Sequence, residues 1–114
     1  MLFLLIACGP GLPTDLAAEE LYGQWLAPGT ENGRGITFSE YQDSGWDHGY
    51  QRFEAPQDSD PEILEDGSFV LTDFDLAFNP DTAGRTPSTA QVLGFDGEVL
   101  VLDEGGLSVR FERQ

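Results

Sequence analysis

Basic side chains are scarce in this chain of 114 residues, which contains no lysine and five arginines against 21 acidic residues. The formal net charge is −16 at pH 7, and the arginines are dispersed along the sequence. Binding to nucleic acid needs clustered cationic side chains that displace counterions, and electrostatic attachment to anionic lipid needs them too. The composition therefore argues against both kinds of partner and is typical of a soluble, self-repelling surface. We expect a monomer.

Cysteine and histidine each occur once, as Cys8 and His48. A single cysteine leaves no partner for an internal disulfide, so the domain must fold without one. The serine-hydrolase and zinc-protease spacings, G-x-S-x-G and H-E-x-x-H, are absent. We expect His48 in an exposed loop between Trp46 and Tyr50, where Asp47 would orient its imidazole only if a nucleophile approached from another strand. The sequence therefore predicts no enzyme, no catalytic residue and no cofactor.

The chain begins with an apolar run that ends in Leu5-Ile6-Ala7-Cys8. This run is too short to span a bilayer as a helix, which needs about 20 apolar residues, and it is typical of a signal segment. Leu5 to Cys8 resembles the lipobox of bacterial lipoprotein signal peptides. The resemblance implies cleavage before Cys8, a diacylglyceryl group on its thiol and, in most members, a further acyl chain such as palmitate on its amino group. Such an anchor would hold the protein stably on a membrane.

Two further features of the N-terminus refine this hypothesis. No lysine or arginine precedes Arg34, although signal peptides open with positive charge, so we expect the true start upstream. The alternative is a small buried cysteine in an apolar strand, but the Gly- and Pro-rich residues after Cys8 favour a tether. Gly9 stands where, by the family's sorting pattern, aspartate would retain the protein at the inner membrane. The resemblance thus implies the outer membrane, facing the periplasm or the surface, or the outer face of a single membrane.

These features divide the chain into a signal segment (1–7), a lipidated cysteine with its tether (8–13) and one domain (14–114). A domain of this length can build one core.

Glycine and proline cut the domain into short apolar pieces, which predicts an all-β, antiparallel up-and-down fold. The segment Pro13 to Leu21 is the one expected helix, with Thr14 as its N-cap. Alternating strands are predicted at Gly35 to Tyr41, Gly49 to Phe53, Ala90 to Phe95, Glu98 to Leu102 and Leu107 to Arg113.

Two Asp-Gly pairs favour tight hairpin turns, since Asp-Gly readily adopts the positive φ values that a type I′ turn needs. Asp66-Gly67 is predicted to join two strands, and Asp96-Gly97 to join two more. A tight connection at Asp103 to Gly106 then leads into the last strand. The C-terminal third should be a three-stranded meander, and its middle segment Val99 to Leu102, apolar on both faces, should be the most buried element. Asn79 to Pro87 is predicted to be a loop.

The residues Gly23-Gln24-Trp25, after a short helical turn and before antiparallel strands, resemble the G-x-W opening of lipocalins and bacterial lipocalin-like domains. In that family the tryptophan closes one end of an eight-stranded barrel, and an arginine of the last strand packs across it. Arg110 or Arg113 would fill this role, and Arg113 shares the face of Leu107, Val109 and Phe111. Thr72-Asp73-Phe74 resembles the family's second motif. The chain is shorter than a full lipocalin, so the barrel would be small, half-open or filled by its own side chains.

The resemblance implies an anchored barrel that binds a small apolar molecule or has a structural role in the envelope. The alternative for the lining residues is that they only form the core, because a small domain needs nearly all of its apolar side chains for stability. The candidate ligand-lining residues are Ile36, Phe38, Phe53, Phe69, Leu71, Phe74 and Phe78.

Calcium binding is a second hypothesis, because Glu54 to Asp81 contains nine carboxylates and no basic residue. Asp58, Asp60 and Glu62 begin like an EF-hand loop, but Ile63 and Phe69 occupy positions where that loop requires glycine and glutamate. A solvated acidic loop is the alternative, and no dedicated metal site is predicted.

A protein-interaction surface is a third hypothesis. The aromatic residues Tyr41, Trp46 and Tyr50 cluster around the least regular segment of the chain, and such residues are favoured at recognition surfaces. The alternative is that Trp46 caps the core from a loop.

Overall fold

The computed structural model shows a closed barrel of eight antiparallel strands, each paired with the next along the chain. It describes residues 11–29, 33–40, 48–55 and 60–114. The last strand returns to the first through the pairs Trp25–Arg113 and Leu26–Glu112, which closes the barrel. The predicted all-β, up-and-down architecture is therefore confirmed, and the barrel is closed. The strands are β1 (Gly23–Leu26), β2 (Arg34–Glu40), β3 (His48–Glu54), β4 (Glu62–Thr72), β5 (Asp75–Pro80), β6 (Ser88–Phe95), β7 (Val99–Glu104) and β8 (Leu107–Arg113).

Helical structure in the described ranges is limited to one 3-10 turn at Ala18–Leu21. The turn begins after Ala17, whose N–H donates to the Glu20 carboxylate at 2.9 Å, so the predicted helix from Pro13 with a Thr14 cap is wrong in its extent. Isolated helices this short are marginal in water. The segment before the turn is hydrogen-bonded to the barrel instead. The Phe95 N–H, at the end of β6, donates to the Gly11 carbonyl at 3.1 Å.

The strand order gives the barrel two distinct ends. The Trp25 end carries the 3-10 turn, the start of β1, the end of β8 and the β4–β5 and β6–β7 connections. The Glu104 end carries the start of β2, the end of β3 and the β5–β6 and β7–β8 connections. Alternate side chains of the strands point into the barrel, in line with a period of two, except where the register shifts between β3 and β4 at Arg52/Phe53 and between β6 and β7 at Val92/Gly94.

The first Asp-Gly prediction is wrong, since Asp66 and Gly67 lie inside the continuous strand β4. The turn comes seven residues later at Asp73-Phe74, where Asp73 adopts φ 57°. Gly67 is needed for a close backbone approach instead. A Cβ there would lie 2.1 Å from the Asn79 carbonyl oxygen and 2.7 Å from the Pro80 Cα on β5.

The other predicted connections lie where expected but differ in detail: the Asp96-Gly97 turn is not the two-residue type I′ turn predicted, and the predicted loop from Asn79 begins only after Pro80. Asp96-Gly97 joins β6 to β7, with Glu98 as a third loop residue and positive φ at Gly97 alone. The Asp96 carboxylate accepts the N–H groups of Glu98 and Val99 at 2.9 and 2.8 Å, and these bonds lower its pKa. The pair Gly105-Gly106, both at positive φ, turns β7 into β8.

The strand β7 is buried on one face only, unlike the prediction. Leu100 and Leu102 are fully buried, whereas Val99 and Val101 are half-buried on the outer face. A barrel strand contacts the core through one face, and the other face meets solvent. The meander β6–β7–β8 is as expected.

Candidate functional site

Aromatic side chains fill the middle of the barrel. Phe38, Phe69 and Phe78 are each at most 1% exposed, and the Phe38 and Phe69 ring centroids lie 5.0 Å apart. The Tyr50 ring meets Phe78 edge-on with centroids 4.7 Å apart. Contacts at these distances are those of a packed core, as is found in barrels that are filled by their own side chains.

The seven candidate lining residues fall into three groups. Ile36, Phe38, Phe69 and Phe78 belong to the contiguous core cluster. Leu71 and Phe74 are half-buried and pack against that cluster, Phe74 from the β4–β5 turn. Phe53 is buried but lies outside the cluster, with its ring over Gly35, where a Cβ would fall 2.3 Å from the ring. This distribution favours the core interpretation over a ligand cavity along the barrel axis.

Arg113 lies across Trp25 at one end of the barrel. Its guanidinium carbon is 4.3 Å from the indole centroid, and its three nitrogens donate to the carbonyls of Gly97 (2.6 Å), Tyr22 (2.8 Å) and Glu20 (3.0 Å). The indole N–H of Trp25 donates to the Leu21 carbonyl at 2.8 Å. The arginine thereby connects the last strand, the β6–β7 turn and the 3-10 turn.

His48 is the first residue of β3, not part of an exposed loop as predicted. Its Nδ1 lies 2.6 Å from the Tyr22 hydroxyl, and its ring packs on Phe69 with centroids 5.4 Å apart. Burial, helped by the nearby carboxylates of Glu19 and Glu40, raises the pKa of Tyr22. The imidazole therefore links β3 to the segment before β1, and its described contacts include no nucleophile.

A charged group crosses the interior at the opposite end. Glu104, from the end of β7, accepts a hydrogen bond from Arg34 of β2 at 2.7 Å and forms an ion pair with Arg52 of β3 at 2.6 Å. The side chains of Arg52 and Glu104 are 16% and 10% exposed, and that of Arg34 is 38% exposed. Because β1 and β8 separate β7 from β2 in the sheet, this triad spans the barrel rather than following its wall.

Tyr50 and Glu65 extend this polar group into the core. The Tyr50 hydroxyl donates to the Glu65 carboxylate at 2.5 Å, and both residues are buried. Burial raises the pKa of Tyr50, and the bond to Glu65 adds to the effect. The Arg52 guanidinium lies 4.7 Å from the Phe78 ring centroid. The structure thus removes Tyr50 from the predicted recognition surface, because its ring is inside the barrel.

A cavity of about 310 Å³ opens beside this group at the Glu104 end. Its lining includes Arg34, Arg52 and Arg85, which are three of the chain's five arginines. They come from β2, β3 and the β5–β6 loop, so the sequence showed only dispersed cations. The sequence did not indicate this grouping, because the three arginines are far apart along the chain and their spacing gives no sign that they meet.

The candidate calcium ligands are only partly within the described residues. No group of three or more potential metal-binding side chains is found among the residues that the structure describes. Asp60 and Glu62 are exposed at the start of β4. Cys8, Tyr41, Trp46 and Asp58 lie outside the described residues.

No protein-family model, curated protein or solved structure matches this chain. In the part of the chain described here, no helix has the length and apolar character needed to cross a membrane.

Proposed function

We propose that this chain is a lipid-anchored protein of the bacterial envelope, with a non-catalytic, lipocalin-like barrel held at its Trp25 end close to the membrane. The lipobox residues Leu5 to Cys8 supply the expected anchor. The packed aromatic core supports a structural or presenting role for the barrel over transport of an apolar molecule along its axis. An apolar ligand bound within the barrel remains the alternative function.

The observation that carries this proposal is the hydrogen bond between Gly11 and Phe95. Gly11 lies three residues after Cys8 and accepts the Phe95 N–H at 3.1 Å. Three residues of extended chain reach roughly 11 Å, so the acylated residue would start next to the Trp25 end of the barrel. The Glu104 end, with its arginine-lined cavity, would then face away from the bilayer.

Acylation is tested by expressing the chain in a bacterial host with radiolabelled palmitate, both unaltered and with two lysines inserted before Leu2. We expect label in the membrane fraction, lost in Cys8→Ser and retained in Ser88→Ala, a control on an exposed residue of β6. Absence of label from both forms, or equal labelling of Cys8→Ser, would contradict the anchor.

Orientation is tested with single cysteines introduced at exposed positions of the two ends, Glu98→Cys and Ser88→Cys. Each variant carries a fluorophore and is reconstituted in vesicles that contain lipids with a nitroxide headgroup. We expect strong quenching at position 98, beside the Trp25 end, and little at position 88. Equal quenching at both positions would refute the proposed orientation while leaving acylation intact.

A further inference from the structure

We propose that the cavity at the Glu104 end binds a small molecule with one carboxylate and an apolar body. This site goes beyond the proposed function and does not depend on acylation of Cys8. Three of five arginines line one cavity in a chain of net charge −16, which concentrates most of its positive charge in one place. A guanidinium presents paired N–H donors that match the two oxygens of a carboxylate.

Two of these arginines are held in position before any ligand arrives. Arg34 and Arg52 share the Glu104 carboxylate at 2.7 and 2.6 Å, and Arg52 also lies over the Phe78 ring. Side chains fixed in this way lose little further conformational entropy when they contact a ligand. Arg34 and Arg52 therefore form a preorganised cationic wall.

Arg85 is the lining arginine that forms no ion pair within the described part of the chain. It stands in the exposed β5–β6 loop, and no carboxylate lies within ion-pair distance of it among residues 11–29, 33–40, 48–55 and 60–114. The other lining arginines each contact Glu104. A ligand carboxylate would thus gain its new ion pair mainly from Arg85.

The acidic residues of the cavity limit the ligand to a single negative charge. Glu54 and Glu65 also line it, and Glu104 pairs with Arg34 and Arg52, so the carboxylates at and beside the cavity equal the three arginines in number. Glu65 is engaged by the Tyr50 hydroxyl at 2.5 Å. A second negative charge would face these carboxylates and the field of the whole chain, so phosphate and dicarboxylates are disfavoured.

The rest of the lining suits an apolar body. Phe53 and Leu64 line the cavity, and Phe53 packs directly on Gly35. A volume of about 310 Å³ is at the small end of ligand pockets, which run from roughly 300 Å³ upward, and admits a single ring with its substituent. An apolar lining beside one arginine that can pair with a carboxylate is the arrangement expected for binding an aromatic or short-chain monocarboxylate.

Benzoate is a suitable probe, with benzamide as the isosteric neutral control and inorganic phosphate as the dianionic control. Isothermal titration calorimetry on the full chain in non-ionic detergent micelles measures the affinity of each. We expect benzoate to bind at least tenfold more tightly than benzamide or phosphate, because the carboxylate contacts Arg85.

Arg85→Gln should weaken benzoate binding about tenfold, and Arg110→Gln, the same charge change on an exposed position of β8, should alter it less than twofold. Arg85 is exposed, so both variants should keep the wild-type circular dichroism spectrum and thermal midpoint. The proposal fails if benzoate does not bind, if benzamide binds equally well, or if both variants lose affinity alike. None of these results bears on acylation or orientation.

Discussion

The Arg113 guanidinium lies 4.3 Å from the Trp25 ring centroid and donates hydrogen bonds to three backbone carbonyls. One side chain thus covers the indole and joins three separate pieces of chain at the point where β8 closes on β1. Arg113 therefore contributes both to the closure of the barrel and to the packing at its Trp25 end.

Replacing Arg113 with alanine should destabilise the barrel by about 3 kcal/mol, since charged donors to carbonyls and the cation–π contact are lost together. Urea unfolding followed by circular dichroism measures the change. Arg110→Ala is the matched control, because Arg110 is exposed and its pairing with Glu112 is long, at 3.7 Å. Equal stability of the two variants would show that the Trp25–Arg113 contact contributes nothing measurable.

Gly67→Ala should destabilise the barrel by more than about 2 kcal/mol, because the new methyl group would overlap the β5 backbone at Asn79 and Pro80. Thermal and urea unfolding provide the measurement. Gly11→Ala serves as control, since a Cβ there has no neighbour within 4 Å, and should change stability by less than about 0.5 kcal/mol. A Gly67→Ala variant as stable as wild type would mean that β4 and β5 separate easily.

Tyr50→Phe should cost about 2 kcal/mol at pH 7, because Glu65 stays buried without its donor. The pKa of Tyr50 is raised in the folded chain, so the stabilisation is complete below about pH 10, where the unfolded chain begins to lose this proton. Above that pH the stability of the wild type should fall by up to about 1.4 kcal/mol per pH unit from this group.

Urea titrations at pH 7, 9, 10.5 and 11.5 on wild type and Tyr50→Phe measure this effect. The slope should be shallower in the variant but not zero, because the pKa of Tyr22 is also raised. Identical slopes would rule out Tyr50 as a source of alkaline instability.

His48→Ala should destabilise the fold by about 2 kcal/mol, because the bond to Tyr22 and the ring contact with Phe69 are both lost. Tyr22→Phe should cost about 1 kcal/mol through the hydrogen bond alone. Gln51→Ala, an exposed position on the same strand, is the control for urea unfolding. If His48→Ala behaved like Gln51→Ala, the imidazole would have no structural role.

Local patterns predicted most of the strands. Alternation along β2 and β8 placed Ile36, Phe38, Leu107, Val109 and Phe111 on the inner face, and all are buried except Leu107, which is 60% exposed at the start of β8. The same alternation distinguished Arg113 from Arg110, of which only Arg113 contacts Trp25. A strand's period of two is a property of its own backbone, so such predictions need no knowledge of the partners.

The sequence by itself determined the all-β class, the inner and outer faces of the strands and the acidic surface, because alternation, turn residues and charge are local properties. Only the tertiary structure decided that Gly67 lies within a strand, that Tyr50 and His48 point inward, and that Arg34, Arg52 and Arg85 share a cavity. Turn chemistry at Asp66-Gly67 was overridden by the close approach of β5. The arginines are far apart along the chain and meet only because closure of the barrel and the register of its strands bring them together, and neither is a local property.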